Sequence, residues 1–360
     1  MTNLQAKSDI LLGVKILEFA SIGPVPWGVY QLVNMGAQVT RVLHPDSQAD
    51  VAPMSQRLKD VGRHNVYLDL KTDSGQQQVR ELIKTHAVLV EGMRPGVMEN
   101  LGLSPGFCHG LNPKLVYVRV TGWGRYGTLA DRAGHDINYI ALSGALHAIG
   151  SFQGPPTIPL NLLADYGGGG AFMVIGVLSG LLKATMTGKG SVADVAMLDG
   201  VIQLMAPHFE RLGRKEWIDQ REANLLDGGA PWYSVYETRC GGFMAVGALE
   251  QKFYSEFLKG LGLEELDLPS RQEPKNWDSL RHLYSECFLR RTKSEWTEIF
   301  EPMDACVSPV LSMNEAMNHP HNIVRKIFLR ANNQISLAAH PHFDMAVEAS
   351  YDSEDGSCTL

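Results

Sequence analysis

Of the 360 residues, 44% are hydrophobic and 20% charged, which supplies apolar side chains for buried cores and excludes an intrinsically disordered chain. A formal charge of −7 without clustered Lys and Arg excludes a nucleic-acid surface, while local basic residues still suit a small anionic ligand. At about 150 residues per domain, two domains are expected.

The first predicted elements alternate between strand and helix. Val14–Ala20 reads as a buried strand, Pro26–Met35 as a helix opening after Gly23-Pro24, and Gln38–Leu43 as the next strand. This βαβ unit lacks the Gly-x-Gly-x-x-Gly turn that lets a pyrophosphate reach the backbone, so no nicotinamide or flavin dinucleotide site is expected. A strand at Val66–Leu70, a helix at Thr72–Thr85 capped by Thr72 or Asp73, and a strand at Ala87–Glu91 follow. Helices near Val97–Leu101 and opening at Ser104-Pro105 precede an apolar strand at Leu115–Val120. Near-continuous apolar strands separated by helices predict an α/β fold. Its large domain holds a Rossmann-like parallel sheet covered on both faces, with ligands at the carboxyl ends of the strands. Arg94-Pro95-Gly96 and Thr121-Gly122-Trp123-Gly124 each follow such a strand.

The stretch Gly134–Gly170 sets a histidine and a carboxylate beside glycine: Gly134-His135-Asp136-Ile137-Asn138-Tyr139, then Asn161-Leu162-Leu163-Ala164-Asp165-Tyr166 and Gly167–Gly170. The apolar run Ala171–Leu182 behind it is too short to cross a bilayer, which needs ~20 residues, and reads as a buried helix. Asp165 then falls at or just before a helix N-terminus, where it either caps the helix or does chemistry. His135 titrates near neutrality, and Asp165 joins it only if its surroundings raise its pKa. Three readings stay open: two acid/bases on opposite faces of a carbon acid, Asp165 as an acyl-accepting nucleophile, and a hydrogen-bonded structural His135. In the first, the N–H groups of Gly167 and Gly168 would meet the enolate oxygen.

After a turn at Gly188-Lys189-Gly190, Val192–Met197 and Leu198–Met205 read as a strand or short helix followed by a helix. Polarity rises between Pro207 and Asp227, as a solvated helix or a linker. Trp232–Thr238 and Phe243–Leu249 form a predicted hairpin, followed by helices at Gln251–Leu261, Asp278–Leu289 and Ser294-Glu295-Trp296 and a strand at Cys306–Leu311. The expected organisation is a large domain over 1–205, completed by 325–360, a linker over 206–229 and a smaller α+β domain over 230–324. Trp232, Tyr233 and Tyr236 are expected in its core. The paired histidines at 319/321 and 340/342 lack a completing Cys or carboxylate at zinc spacing, so no metal site is expected. Cys108, Cys240, Cys287, Cys306 and Cys358 show no Cys-x-x-Cys spacing and read as buried structural thiols in a reducing compartment. Met1–Ile10 has neither a signal core nor an Arg-rich presequence, and Ser357-Cys358-Thr359-Leu360 only distantly resembles a Ser-Lys-Leu peroxisomal address. A cytoplasmic protein without membrane association is expected.

Several blocks in order carry a resemblance: Ile22-Gly-Pro24, Arg94-Pro-Gly-Val97, Thr121-Gly-Trp-Gly124, Gly134–Tyr139, Asn161–Gly169, Asp227-Gly-Gly-Ala-Pro231 and Ala245–Glu250. Together they resemble the α-methylacyl-CoA racemases of the family III CoA-transferase superfamily, over about Leu12–His342. The resemblance implies inversion of a 2-methyl-branched acyl-CoA thioester by 1,1-proton transfer, with His135 and Asp165 as the two acid/bases and Glu250 orienting or charge-balancing His135. It implies an interlocked homodimer and no cofactor, since CoA is part of the substrate. It places Arg94 and Arg63 on the CoA phosphates. His44 and Asn100 stand where that family has Arg, and Thr128 where it often has Pro. The expectation is therefore a rearranged phosphate site, with Arg41, Lys59 or Arg125 compensating beside the Gly124 turn. CoA-transferases of the superfamily use the residue matching Asp165 as a covalent carrier and generally lack the histidine, which favours the racemase. A non-catalytic acyl-CoA-binding protein is disfavoured by the joint presence of His135, Asp165 and Glu250.

Overall fold

The computed structural model describes residues 9–46, 60–331, 334–338 and 341. Lys59, His340, His342, Cys358, residues 1–8 of the N-terminal segment and the C-terminal segment considered above lie outside them.

The first half runs β1 (Lys15–Phe19), α1 (Pro24–Asn34), β2 (Gln38–Leu43), β3 (Arg63–Tyr67), α2 (Asp73–Thr85), β4 (Val88–Glu91), α3 (Val97–Asn100), α4 (Pro105–Leu111) and β5 (Val116–Thr121). It continues through α5 (Asp136–Leu142), α6 (Ala145–Ala148), a π-helix (Leu162–Ala171), α7 (Phe172–Thr187), β6 (Ser191–Ala196) and α8 (Met197–Leu204). Six strands pair in the order β3-β2-β1-β4-β5-β6, all parallel, as the alternation predicts. Every residue of β4 and β5 is buried, because helices cover both faces. Side chains alternate between the faces. Ile16, Val88, Val90, Val116 and Val118 meet Val29 and Leu32 of α1 and Val177 of α7. Leu17, Leu89 and Tyr117 meet Val79 and Ile83 of α2 and Met98. Each large apolar side chain buried in this way contributes about 1.5–3 kcal/mol.

The helix behind the glycines differs from its sequence expectation. Leu162–Thr187 is helical throughout, 26 residues that are long and apolar enough to cross a membrane by length and composition. The premise of a run too short to span a bilayer therefore fails. Its place in the fold is against the sheet: Gly176 lies on Ala193 of β6 and Gly180 on Val116 of β5. Burial is one-sided, since Met173 and Val177 are inside while Ile175, Leu182 and Met186 are exposed. Asp165 is in the first turn of the π-helix, and Asn161 holds the cap position expected of Asp165.

In the second half, α9 (Ala206–Gly213) gives way to turns up to Gly229, so the polar segment is a helix and then a linker. β7 (Tyr233–Glu237), β8 (Phe243–Gly247), α10 (Gln251–Leu261), α11 (Trp277–Phe288), α12 (Lys293–Phe300), β9 (Val307–Pro309), α13 (Met313–Ala316) and α14 (Pro320–Val324) follow. β7, β8 and β9 form an antiparallel sheet over an aromatic core that includes Trp232, Tyr236, Phe257, Tyr284, Phe288 and Trp296. Trp232 and Tyr236 are thus packing residues, as expected. β10 (Phe328–Ala331) and β11 (Gln334–Leu337) pair with each other. Cys108 and Cys287 are buried, and burial pushes the Cys108 thiol up to about 11; Cys240 and Cys306 are exposed, against expectation.

Candidate active site

A cavity of about 610 Å³ opens at the carboxyl edge of the large sheet. Its walls come from the loops that follow three parallel strands: Ile22 and Gly23 after β1, Met93 and Arg94 after β4, and Gly122 and Trp123 after β5. Arg132, His135, Tyr139, Asn161 and Asp165 complete its lining.

His135 is placed by its neighbours. It is the N-cap residue of α5 with an extended backbone, and its N–H donates to the Asn138 side-chain oxygen at 3.0 Å. Tyr139, one turn on, is buried, donates its hydroxyl to the Gly134 carbonyl at 2.6 Å, and meets Trp123 edge-on with centroids 4.7 Å apart. The glycines on either side make room for that ring, since a Cβ on Gly122 would lie 2.2 Å from the Tyr139 hydroxyl. The imidazole is left exposed at the cavity wall.

Asp165 is half-buried. Asn161 Nδ2 donates to its Oδ2 at 2.9 Å, and its own N–H donates to Asp136 Oδ2 at 2.9 Å. Burial raises its carboxyl above the ordinary range, and the Asp136 charge adds to this; the Asn161 hydrogen bond and His135 oppose it. Gly23 in the β1 loop borders Asp165 and takes a positive-φ conformation (φ 69°) that glycine adopts without strain.

A charge network running from buried Arg119 and Glu91 to half-buried Glu99 and Arg125 ties the loops after β4 and β5. Arg119 on β5 donates to Glu91 at 2.9 Å and to both oxygens of Glu99 at 2.8 and 3.0 Å, and Arg125 donates to Glu99 at 3.0 Å. Glu91 also accepts the Met93 N–H at 2.7 Å, which pins the loop carrying Arg94. The Arg119 hydrogen bonds hold the Glu99 carboxyl down at about 2, whereas burial pushes Glu91 up.

The sequence profile of CoA-transferase family III matches residues 11–352. The chain belongs to that family. It is 40% identical over 324 residues to the Alpha-methylacyl-CoA racemase of Homo sapiens, covering 90% of this chain and 84% of that protein. Identity to the Mus musculus protein of the same name is 40% over 326 residues, covering 91% of this chain and 84% of that protein. The Acetyl-CoA:oxalate CoA-transferase of Acetobacter aceti is 25% identical, covering 89% of this chain and 85% of that protein. A CAIB/BAIF family protein from Brucella suis shares the fold at a TM-score of 0.78 and 22% identity, over 93% of each chain. A hypothetical protein from Mycobacterium tuberculosis does so at 0.79 and 22%, over 94% of each chain.

For this family III protein the structure gathers some of the expected residues and disperses others. His135, Asp165 and Arg94 share the cavity. Glu250 does not join them within the chain: it is exposed at the N-cap of α10, in the second half of the fold. Arg63 does not line the cavity: its side chain is fully buried, and its guanidinium pairs with Glu18 at 2.5 Å and donates to the Pro26 carbonyl at 2.9 Å. Arg41 is likewise turned to Asn65 and Asp60, each at 3.0 Å. Arg125 is held by Glu99, Gly124 makes a positive-φ turn whose N–H donates to Thr121 at 3.1 Å, and neither lines the cavity. His44 stands half-exposed 3.8 Å from Asp69.

Gly167 and Gly168 also leave the site. In a π-helix each N–H points back to the carbonyl five residues earlier, so these donors are used within the helix. Gly168 is pressed on α8, where a Cβ would lie 2.6 Å from the Met197 carbonyl oxygen. Sequence reasoning missed Arg132, Asn161 and Asp136. The signal for Arg132 was its place three residues before His135 in a loop following a β5 motif already singled out.

Proposed function

We propose that this family III protein inverts the α-carbon of 2-methyl-branched acyl-CoA thioesters, with His135 and Asp165 as the two acid/bases. The observation that carries this reading is that an imidazole and a carboxyl raised by burial line one cavity, beside an exposed Arg94. The human and mouse relatives named Alpha-methylacyl-CoA racemase support it. A base on one side removes the α-proton of the thioester, leaving a planar enolate. The protonated partner on the other side returns a proton to the opposite face, so the product differs only in configuration. The thioester carbonyl itself acidifies the α-hydrogen, so the reaction needs no metal or redox group. Burial serves Asp165 here, since a carboxyl with a raised pKa is a better match for donating and accepting at neutral pH.

Arg94 and Arg132, both exposed at the cavity, are the cations for the CoA phosphates. Glu250 acts from a second copy of the chain in a homodimer, which would bring one chain's second half against the other's cavity. Exposed Ile137, Leu142, Ile175, Leu182 and Met186 supply apolar surface for such an association.

Proton NMR in D2O with (2R)- and, separately, (2S)-2-methylacyl-CoA tests the reading. Loss of the α-hydrogen and convergence on one epimer mixture from both sides is expected. A retained α-hydrogen, with CoA passing to added acids, would instead assign Asp165 as the nucleophile of a CoA-transferase. Light scattering of the purified protein should give twice the chain mass, and a monomer that turns over would exclude the Glu250 assignment.

A further inference from the structure

Asp136 follows His135 directly and is buried, 5% exposed, at the first position of α5. Its Oδ2 accepts the N–H groups of Ala164 at 2.7 Å and Asp165 at 2.9 Å. A carboxylate from one helix start therefore caps the start of another, where free N–H groups and the helix dipole favour an anion. Its Oδ1 is buried without a hydrogen-bond partner. That oxygen costs free energy, and a neutral side chain would have capped the same N–H groups without leaving a charged oxygen unpaired.

We propose that Asp136 is the positioning residue of the proton-transfer pair: it ties the start of the π-helix to the start of α5, so that Asp165 lines the cavity that His135 lines, and it keeps an unpaired carboxyl oxygen buried between the two helix starts. This rests on the reading of His135 and Asp165 as the two acid/bases. The titratable groups coupled to Asp165 are Asp136, His135 and Tyr139, from α5 and its cap, and Arg94 and Arg132 line the same cavity. Asn161 donates from the π-helix's own start, while α1 and α8 bring Pro24, Trp27, Met197 and Val201 against that helix, with Asp199 the acidic residue of α8. A neutral residue at 136 removes one of the two influences that hold the Asp165 carboxyl up, so Asp165 then loses its proton at lower pH.

A two-base enzyme works with one proton shared by the pair, so kcat/KM is bell-shaped in pH and its limbs belong to the pair. In Asp136→Asn, which keeps an oxygen for the two N–H groups, the acid limb should move down by about half a unit or more. Microscopic reversibility requires the same movement with either epimer. Asp136→Ala, which also removes the tie, should lose about 100-fold in kcat with KM changed less than about 3-fold. A limb that superimposes on the wild type in folded Asp136→Asn would overturn the proposal, as would a KM that rises as much as kcat falls in Asp136→Ala. The 13C carboxyl titration of Asp165, assigned with Asp165→Asn, reads the same shift without turnover. An enzyme that exchanges no α-hydrogen would thus overturn only the racemase reading, and an unmoved Asp165 titration only the role of Asp136.

Discussion

Gly200→Ala perturbs the site from behind. In α8, a Cβ on Gly200 would lie 2.1 Å from the Gly168 carbonyl oxygen and 2.6 Å from its Cα. Ordinary contact begins at 3.4 Å, which leaves a shortfall of about 1.3 Å against backbone atoms that cannot rotate aside as a side chain can. Overpacking of this kind costs about 1–3 kcal/mol, against which alanine recovers up to about 1 kcal/mol of helix propensity. With a clash against backbone at the upper end of that range, the expected result is a net loss of about 2 kcal/mol, read as a Tm lower by a few degrees. The π-helix also carries Asp165, and a 1 Å displacement of a reacting group costs about 100-fold in rate. Scanning calorimetry and α-hydrogen exchange on the same preparation should therefore show both losses, with KM for acyl-CoA changed less than about 3-fold, because Arg94 sits on a different loop. A Gly200→Ala enzyme with wild-type Tm and kcat would refute the close helix contact as the support for Asp165.

Arg94→Ala should raise KM for acyl-CoA by about 10-fold or more with kcat little changed, and an unaltered KM removes Arg94 from phosphate binding. Arg63→Ala should lower unfolding free energy by about 3–5 kcal/mol in urea titrations, because it strands the buried Glu18, and should leave KM alone in the folded fraction. A raised KM at undiminished stability would return Arg63 to the substrate. Glu99 has its carboxyl held down at about 2 in the folded protein, below the ordinary 4.5. Its contribution to stability is therefore full above about 4.5 and is lost as pH falls through about 2. The Tm advantage of wild type over Glu99→Gln should shrink across that window, and a pH-independent difference would count against the ion pairs as its source. Asp165 has the opposite sign: a carboxyl raised by burial destabilises the fold once ionised. Asp165→Asn should thus melt higher at pH 8 while losing about 10²–10⁴ in kcat, and retained turnover would end the acid/base assignment.

The strands and their order of burial were legible because apolar runs and caps are local signals. Gln38–Leu43 and Gln251–Leu261 match their observed limits, and Thr72 caps α2 by accepting the Gly75 N–H at 3.1 Å, as one of the two cap assignments expected. β3 lies three residues earlier than its apolar centre, at Arg63–Tyr67, because pairing with β2 and the Glu18 ion pair accommodate polar residues there. His135, Asp165 and Arg94 were recognisable from their blocks, since each sits in a loop or helix start beside glycine.

By itself the sequence determined the parallel sheet, the edge of it at which the cavity opens, and the titratable pair His135 and Asp165 that lines it. Only the tertiary structure decided which charges are free for a substrate. Arg63 meets Glu18 across 45 positions of sequence, and Asp136 meets the Asp165 N–H across 29. Only the fold could show that four glycines make a π-helix pressed on α8 and not a bed of free N–H donors. The physical reason is common to all three: a polar group's availability depends on the partner that reaches it in space, and those partners come from elements whose local patterns do not name each other.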